Sequence, residues 1–65
     1  MKVRDVLARL EADGWYWVRT RGDHRHYRHP SKPSLVTVAG HPANDVPAGT
    51  LAQIWRQAQI PRGDR

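Results

Sequence analysis

The chain has 65 residues, no cysteine and a formal net charge of +5. This length allows one compact domain with a small core, and the lack of cysteine excludes disulfides, thiolate metal sites and cysteine nucleophiles. No signal-peptide segment opens the sequence and no apolar run approaches the roughly 20 residues of a membrane span, so we expect a cytoplasmic protein with no membrane partner.

The first predicted element is an amphipathic helix over residues 2–12. Its apolar residues recur at the i, i+3, i+4, i+7 spacing that places them on one helix face. That stripe consists of Val3, Val6, Leu7 and Leu10. Gly14 follows it and is suited to the left-handed conformation that closes a helix.

Three strands are predicted next. Residues 15–20 are aromatic and β-branched, and residues 21–23 predict a tight hairpin turn that uses Gly22. A second strand covers residues 24–28 and stops before Pro30, which cannot donate a ladder hydrogen bond. A third strand covers residues 35–38.

A second amphipathic helix is predicted to begin near residues 49–50, with Thr50 or its neighbour as N-cap, and Pro61 closes it. The order α-β-β-β-α indicates an α+β fold, a three-stranded antiparallel sheet with both helices on one face. We assign residues 1–60 to this domain and expect residues 61–65 to fray.

A thin two-layer core is expected from the bulky apolar side chains. They include Val3, Val6, Leu7, Leu10, Trp15, Tyr16, Trp17, Val18, Tyr27, Val36, Val38, Leu51, Ile54 and Trp55. A domain of this size buries only about 60% of the surface its unfolded chain exposes, so we expect a bound partner to stabilise it.

The positive charge is concentrated in one segment. Residues 19–32 hold five basic residues and one acidic residue, so four of the five net positive charges lie there. The basic residues are Arg19, Arg21, Arg25, Arg28 and Lys32. Such a cluster attracts polyanions, among which nucleic acid is the foremost class; a solvated loop is the alternative explanation.

The second strand should present a polar face. Tyr27 is its apolar member and is expected to point toward the helices, so His24, His26 and Arg28 are expected on the opposite, open face. His26 and His29 are adequately explained as surface histidines. His24 differs because it follows a glycine turn, where its side chain is accessible to a ligand.

A metal site would need a third ligand besides His24 and His26, and the neighbouring arginines would repel a cation, so we predict none. Histidine among arginines suits cleavage of RNA by its own 2′-hydroxyl, because imidazole exchanges protons near neutral pH and arginine stabilises phosphate charge. This route needs no cofactor. A non-catalytic RNA-binding module is the main alternative, and a DNA-binding or structural subunit is the third.

Short motifs in fixed order carry a resemblance to a known family. They are Asp13-Gly14-Trp15, Gly22-x-His24-x-x-Tyr27, His29-Pro30, Val36-Thr37-Val38, His41-Pro42 and Gly49-Thr50-Leu51. With this set the sequence resembles the HicA toxins, the ribonuclease half of HicA–HicB toxin–antitoxin pairs. The resemblance runs from about residue 2 to residue 60.

The resemblance implies a double-stranded-RNA-binding-domain-like fold, mRNA cleavage with His24 as the catalytic residue, and inhibition by a HicB-type antitoxin. Together with the charge pattern it leads us to predict a set of RNA-binding residues. They are Arg19, Arg21, Gly22, Arg25, His26, Arg28 and Lys32. An antitoxin on the open sheet face would shield His24 and neutralise Arg25 and Arg28.

Two positions depart from the family pattern. Asp23 precedes His24 where the family usually has serine; its carboxylate either stabilises the imidazolium or serves only as a turn residue. Gln59 stands where glycine is common. Because a side chain is costly in a left-handed cap, we expect the last helix to end differently.

Overall fold

The computed structural model describes residues 1–61. Its elements are α1 (Val3–Ala12), β1 (Tyr16–Arg21), β2 (His24–Arg28), β3 (Val36–Ala39) and α2 (Ala48–Ala58). The strands form one antiparallel sheet in the order β1-β2-β3. The predicted α+β fold is therefore confirmed. Of the tail expected to fray, residues 61–65, all but Pro61 lie outside the described residues.

Helix α1 ends as its sequence predicts. Gly14 has a φ of +102°, and its N–H donates to the Glu11 carbonyl at 3.0 Å while the Trp15 N–H donates to the Leu10 carbonyl at 3.0 Å. This pair of hydrogen bonds is a Schellman motif, which satisfies carbonyls of the last turn. The chain then enters β1 with Trp15 buried.

The hairpin between β1 and β2 has a two-residue turn at Gly22 and Asp23, closed by the pairing of Arg21 with His24. Gly22 has a φ of +62°, and positive φ at the first turn residue is typical of a type II′ hairpin. A side chain at Gly22 would meet no atom within 4 Å. The turn therefore projects into solvent and leaves the start of β2 uncovered.

Helix α2 begins earlier than predicted. Its N-cap is Pro47, which has no side-chain capping bond, and the first helical hydrogen bond runs from the Leu51 N–H to the Pro47 carbonyl at 2.9 Å. Thr50 thus lies inside the first turn, and its prediction as N-cap is wrong. Proline already has a φ near the helical value, and Ala48 after it is a strong helix former.

The end of α2 also differs from expectation, because Gln59 does adopt the left-handed conformation, with a φ of +55°. The Ile60 N–H donates to the Trp55 carbonyl at 3.0 Å, and both of these side chains are buried. Left-handed backbone costs a non-glycine residue about 1–2 kcal/mol. Burying an isoleucine contributes about 1.5–3 kcal/mol, so the burial of Ile60 outweighs the strain at Gln59.

The core lies between the helices and the part of the sheet nearest β3, the strand on which both helices pack. Its members are Val3, Val6, Leu10, Trp15, Tyr27, Val36, Val38, Val46, Ile54, Trp55, Ala58 and Ile60. The expectation that Tyr16, Trp17 and Val18 join the core is wrong: they are 51%, 57% and 41% exposed. All of β1 is exposed because it is the sheet edge farthest from the helices.

Candidate active site

The sheet surface that faces away from the helices, here called the open face, holds the candidate site. Directly paired residues on neighbouring strands point to the same side of a sheet, so the register identifies its members. They are Tyr16, Arg19, Arg21, His24, His26, Arg28, Thr37 and Ala39. Tyr27 is buried on the helix side, at 3% exposure, and the predicted division of β2 into two faces is confirmed.

A β-bulge in β1 determines which of its arginines lie on the open face. The register shifts between Trp17 and Arg19, so that Val18 is an extra residue in the strand. In a regular strand Tyr16 and Arg19 would point to opposite sides, whereas a bulge resets the alternation. The shift therefore sets Arg19 opposite His26, and places both arginines of β1 on the same side as His24.

His24 lies at the first position of β2, with its side chain 57% exposed. Its Nδ1 atom is 3.0 Å from Oδ1 of Asp23. A carboxylate only accepts hydrogen bonds, so Asp23 offers an acceptor to an N–H at Nδ1 of the ring. Nε2 of His24 is left for a ligand, and Asp23 is placed to fix the orientation of the ring.

The second imidazole of the open face is constrained differently. Nδ1 of His26 lies 3.0 Å from the Thr37 hydroxyl, and the side chain is half-buried. This contact ties His26 to the neighbouring strand. Of the two histidines, His24 is the one with the more accessible ring.

Three arginines give the open face its charge. Arg19, Arg21 and Arg28 are exposed, and within residues 1–61 no hydrogen bond or ion pair engages their guanidinium groups. The face itself contains no acidic residue; Asp23 lies in the adjoining turn. These cations are therefore available to an anionic partner.

Two predicted RNA-binding residues lie elsewhere. Arg25 pairs with Val38 on the helix side of the sheet and donates to the Gly40 carbonyl at 2.7 Å. A partner on the open face would therefore not neutralise Arg25 as expected. Alternation along β2 predicts this position, because adjacent residues of a strand such as His24 and Arg25 point to opposite faces.

Lys32 joins the ends of the two helices. Its Nζ donates to the Asp13 carboxylate at 2.6 Å and to the Ala58 and Gln59 carbonyls at 3.0 and 3.3 Å. The hydrogen bond from Lys32 lowers the pKa of Asp13. Since these partners occupy the ammonium group, the geometry gives no support to the predicted RNA contact of Lys32.

The site is a surface and not a cavity. No pocket is formed by the described part of the chain, and no group of three or more potential ligand side chains is placed around a common metal position in residues 1–61. No helix in that range is long and apolar enough to cross a bilayer. A flat cationic surface suits a polymer better than a small molecule, which usually binds in a cleft.

Residues 3–60 match the family model described as the HicA toxin of bacterial toxin–antitoxin systems. The chain belongs to the HicA toxin family. A search of curated proteins finds no match to it. Membership makes the chain a toxin of a toxin–antitoxin pair and implies an antitoxin partner.

One residue of this HicA toxin has a role that the sequence did not reveal. His29 was interpreted as a surface histidine, but it is half-buried. Its Nδ1 accepts from the Ser31 N–H at 3.1 Å and its Nε2 lies 2.8 Å from the Asp13 carbonyl, while Trp15 packs against the ring at 5.2 Å. His29 therefore holds the α1–β1 turn, and no local sequence signal predicts this contact because its partner lies 16 residues away.

Proposed function

We propose that this HicA toxin is an endoribonuclease that cleaves mRNA without a metal ion, with His24 as its general acid–base group. The observation that carries the proposal is the exposed His24 ring, whose Nδ1 lies 3.0 Å from the Asp23 carboxylate. His24 pairs directly with Arg21 on the open face, and Arg19 lies on the same face opposite His26. No other imidazole of the open face combines accessibility with an orienting carboxylate.

The chemistry that fits this arrangement is attack by the RNA 2′-oxygen on the adjacent phosphorus. The new O2′–P bond forms as the P–O5′ bond breaks, giving a 2′,3′-cyclic phosphate and a 5′-hydroxyl. The 2′-hydroxyl loses a proton and the departing 5′-oxygen gains one. Nε2 of His24 exchanges one of these protons, because neutral imidazole accepts and imidazolium donates near neutral pH.

The arginines supply the charge that the phosphate needs. Arg21 pairs directly with His24, and the Cβ atoms of such partners lie about 4.5–5.5 Å apart. Both side chains are therefore close enough to contact one phosphate group. Guanidinium groups bind phosphate through paired hydrogen bonds and stabilise the negative charge that develops in the transition state.

The antitoxin is proposed to be a HicB-type protein that covers the open face. An acidic surface on the antitoxin, complementary to Arg19, Arg21 and Arg28, would orient the antitoxin on this face so that it covers His24. The exposed side chains of Tyr16 and Val18 at the edge strand would add apolar area to the interface. Inhibition then follows from steric exclusion of RNA.

Cleavage is expected to persist unchanged in EDTA, because His24 and the arginines supply both proton transfer and charge stabilisation. The measurement is the cleavage rate of a labelled RNA, with and without EDTA. DNA of the same sequence is the control and should stay intact, since it lacks the 2′-hydroxyl. A loss of RNA cleavage in EDTA that a divalent ion restores would contradict the metal-free route.

A further inference from the structure

Tyr16 is an exposed aromatic residue that the proposed chemistry does not use. It begins β1, is 51% exposed and pairs with Arg28. This pairing places its ring on the open face, next to a guanidinium group that no described residue engages. An exposed tyrosine beside a free arginine needs an explanation, because exposed edge strands are usually protected by charged side chains.

We propose that Tyr16 is a base-stacking residue and that the open face therefore binds an unpaired RNA strand. The inference rests on the proposed function and adds the form of the substrate and a residue that binds its bases. A tyrosine ring stacks on any exposed base, and an adjacent arginine plane extends the stacking surface. Bases of a duplex are stacked on one another and offer no free face to such a ring.

The open face provides a continuous route for an RNA strand between Tyr16 and His24. Tyr16 lies opposite Arg28, and Arg21 lies opposite His24, four residues back along β2. Strands rise about 3.3 Å per residue, so the backbone positions of Tyr16 and His24 are offset by roughly 13 Å along the strand direction. Arg19 lies between them on β1 and is placed to hold the phosphates that join the stacked base to the cleaved bond.

Trp17 supplies a matched comparison on the same strand. It is 57% exposed, like Tyr16, but it pairs with Tyr27 and so lies on the helix side of the sheet. Its indole N–H donates to the Thr20 hydroxyl at 2.8 Å. The two aromatic residues thus differ in the face they occupy far more than in their exposure.

The test measures binding of a labelled unpaired RNA oligonucleotide to the full chain carrying His24→Ala, so that cleavage does not interfere. Tyr16→Ala is expected to weaken binding by about 5- to 100-fold, the range of one base–aromatic stack. Tyr16→Phe and Tyr16→Trp keep the ring and should bind within about twofold of the parent. Trp17→Ala should also leave the affinity within about twofold.

The salt dependence of RNA affinity distinguishes base stacking by Tyr16 from charge neutralisation by the arginines. Tyr16→Ala should leave the slope of log affinity against log salt unchanged, whereas Arg28→Gln should flatten it by about 0.7. The same oligonucleotide annealed to its complement should bind more weakly and show no dependence on Tyr16. Thermal unfolding of each variant verifies that it is folded, and Tyr16→Leu, which removes the ring but keeps apolar bulk, should weaken binding like Tyr16→Ala and provides the test if the alanine variant is unstable.

The inference is overturned if Tyr16→Ala binds unpaired RNA as tightly as its parent, or if the duplex binds as tightly as the single strand. It is also overturned if Tyr16→Ala weakens only the antitoxin complex, which would make this ring a protein contact. These results are distinguishable from failure of the proposed function. A wild-type chain that binds RNA through Tyr16 but never cleaves it would refute the nuclease and leave the stacking site standing.

Discussion

His24→Ala is expected to lower the rate of RNA cleavage by about 100- to 10,000-fold, the usual contribution of a positioned general acid or base. The residual activity would come from phosphate binding by the arginines of the open face. Toxicity in growing cells should be lost with it. The measurement is the cleavage rate of a labelled RNA by purified wild-type and variant chains.

His26→Ala is the matched control, since it removes the other imidazole of the same face. Its ring is half-buried and bonded to Thr37, so the cleavage rate should fall far less than in the His24 variant. The His24 side chain is exposed, and its loss should change the free energy of unfolding by no more than about 0.5 kcal/mol. Full activity of folded His24→Ala would refute its assigned role.

Gly14→Ala is expected to destabilise the fold by about 2 kcal/mol or more. Its φ of +102° is a conformation that L side chains rarely adopt, and an added Cβ would lie 2.8 Å from Nε2 of His29. The new methyl would displace the ring that bonds to the Asp13 carbonyl. Domains of this size have only about 3–10 kcal/mol of total stability, so urea unfolding monitored by circular dichroism would detect the change readily.

Gly49→Ala offers the opposite expectation in the same assay. Gly49 lies in the first turn of α2, and an added Cβ would meet no atom within 4 Å. Alanine at such a helical position should stabilise by about 0.5–1 kcal/mol. If the two alanine variants have equal stability, the close contact between Gly14 and His29 does not constrain the turn as described.

Local patterns predicted the elements well, because each depends on residues close in sequence. The stripes of both helices, the glycine turn at Gly22 and the alternation around Tyr27 all act within a few residues. The family resemblance, carried by ordered short motifs, was likewise readable from the chain and is confirmed. Alternation around Tyr27 predicts that His24 and Arg28 share a face, and the strand register confirms it.

The errors concern features that depend on the assembled sheet. An aromatic run from Trp15 to Val18 is equally compatible with a central or an edge strand, and only the position of the helices over β3 leaves most of it exposed. Nothing in the run marks Val18 as the extra residue of a bulge. In a strand without that bulge, strict alternation places Tyr16 and Arg19 on opposite faces of the sheet. Alternation alone therefore does not predict that both lie on the open face.

The positions of the charged side chains in residues 19–32 were likewise only partly predictable from the sequence. Charge counting groups Lys32 with the arginines, but its partners Asp13 and Ala58 are 19 and 26 residues away in sequence. Contacts between such distant positions leave no periodic signal. Arg25 is different, because the alternation of a strand predicts that it lies on the same side as Tyr27. The expectation that a partner on the open face neutralises Arg25 did not follow from that alternation.

The most direct test of the central claim uses an RNA oligonucleotide with one cleavage position, in which the 2′-hydroxyl at that position alone is replaced by hydrogen. The account predicts that the wild-type chain cleaves the unmodified strand to a 2′,3′-cyclic phosphate and a 5′-hydroxyl, identified by mass spectrometry, and leaves the modified strand intact. Cleavage of the modified strand at the same bond, or products carrying a 5′-phosphate, would contradict transesterification assisted by His24.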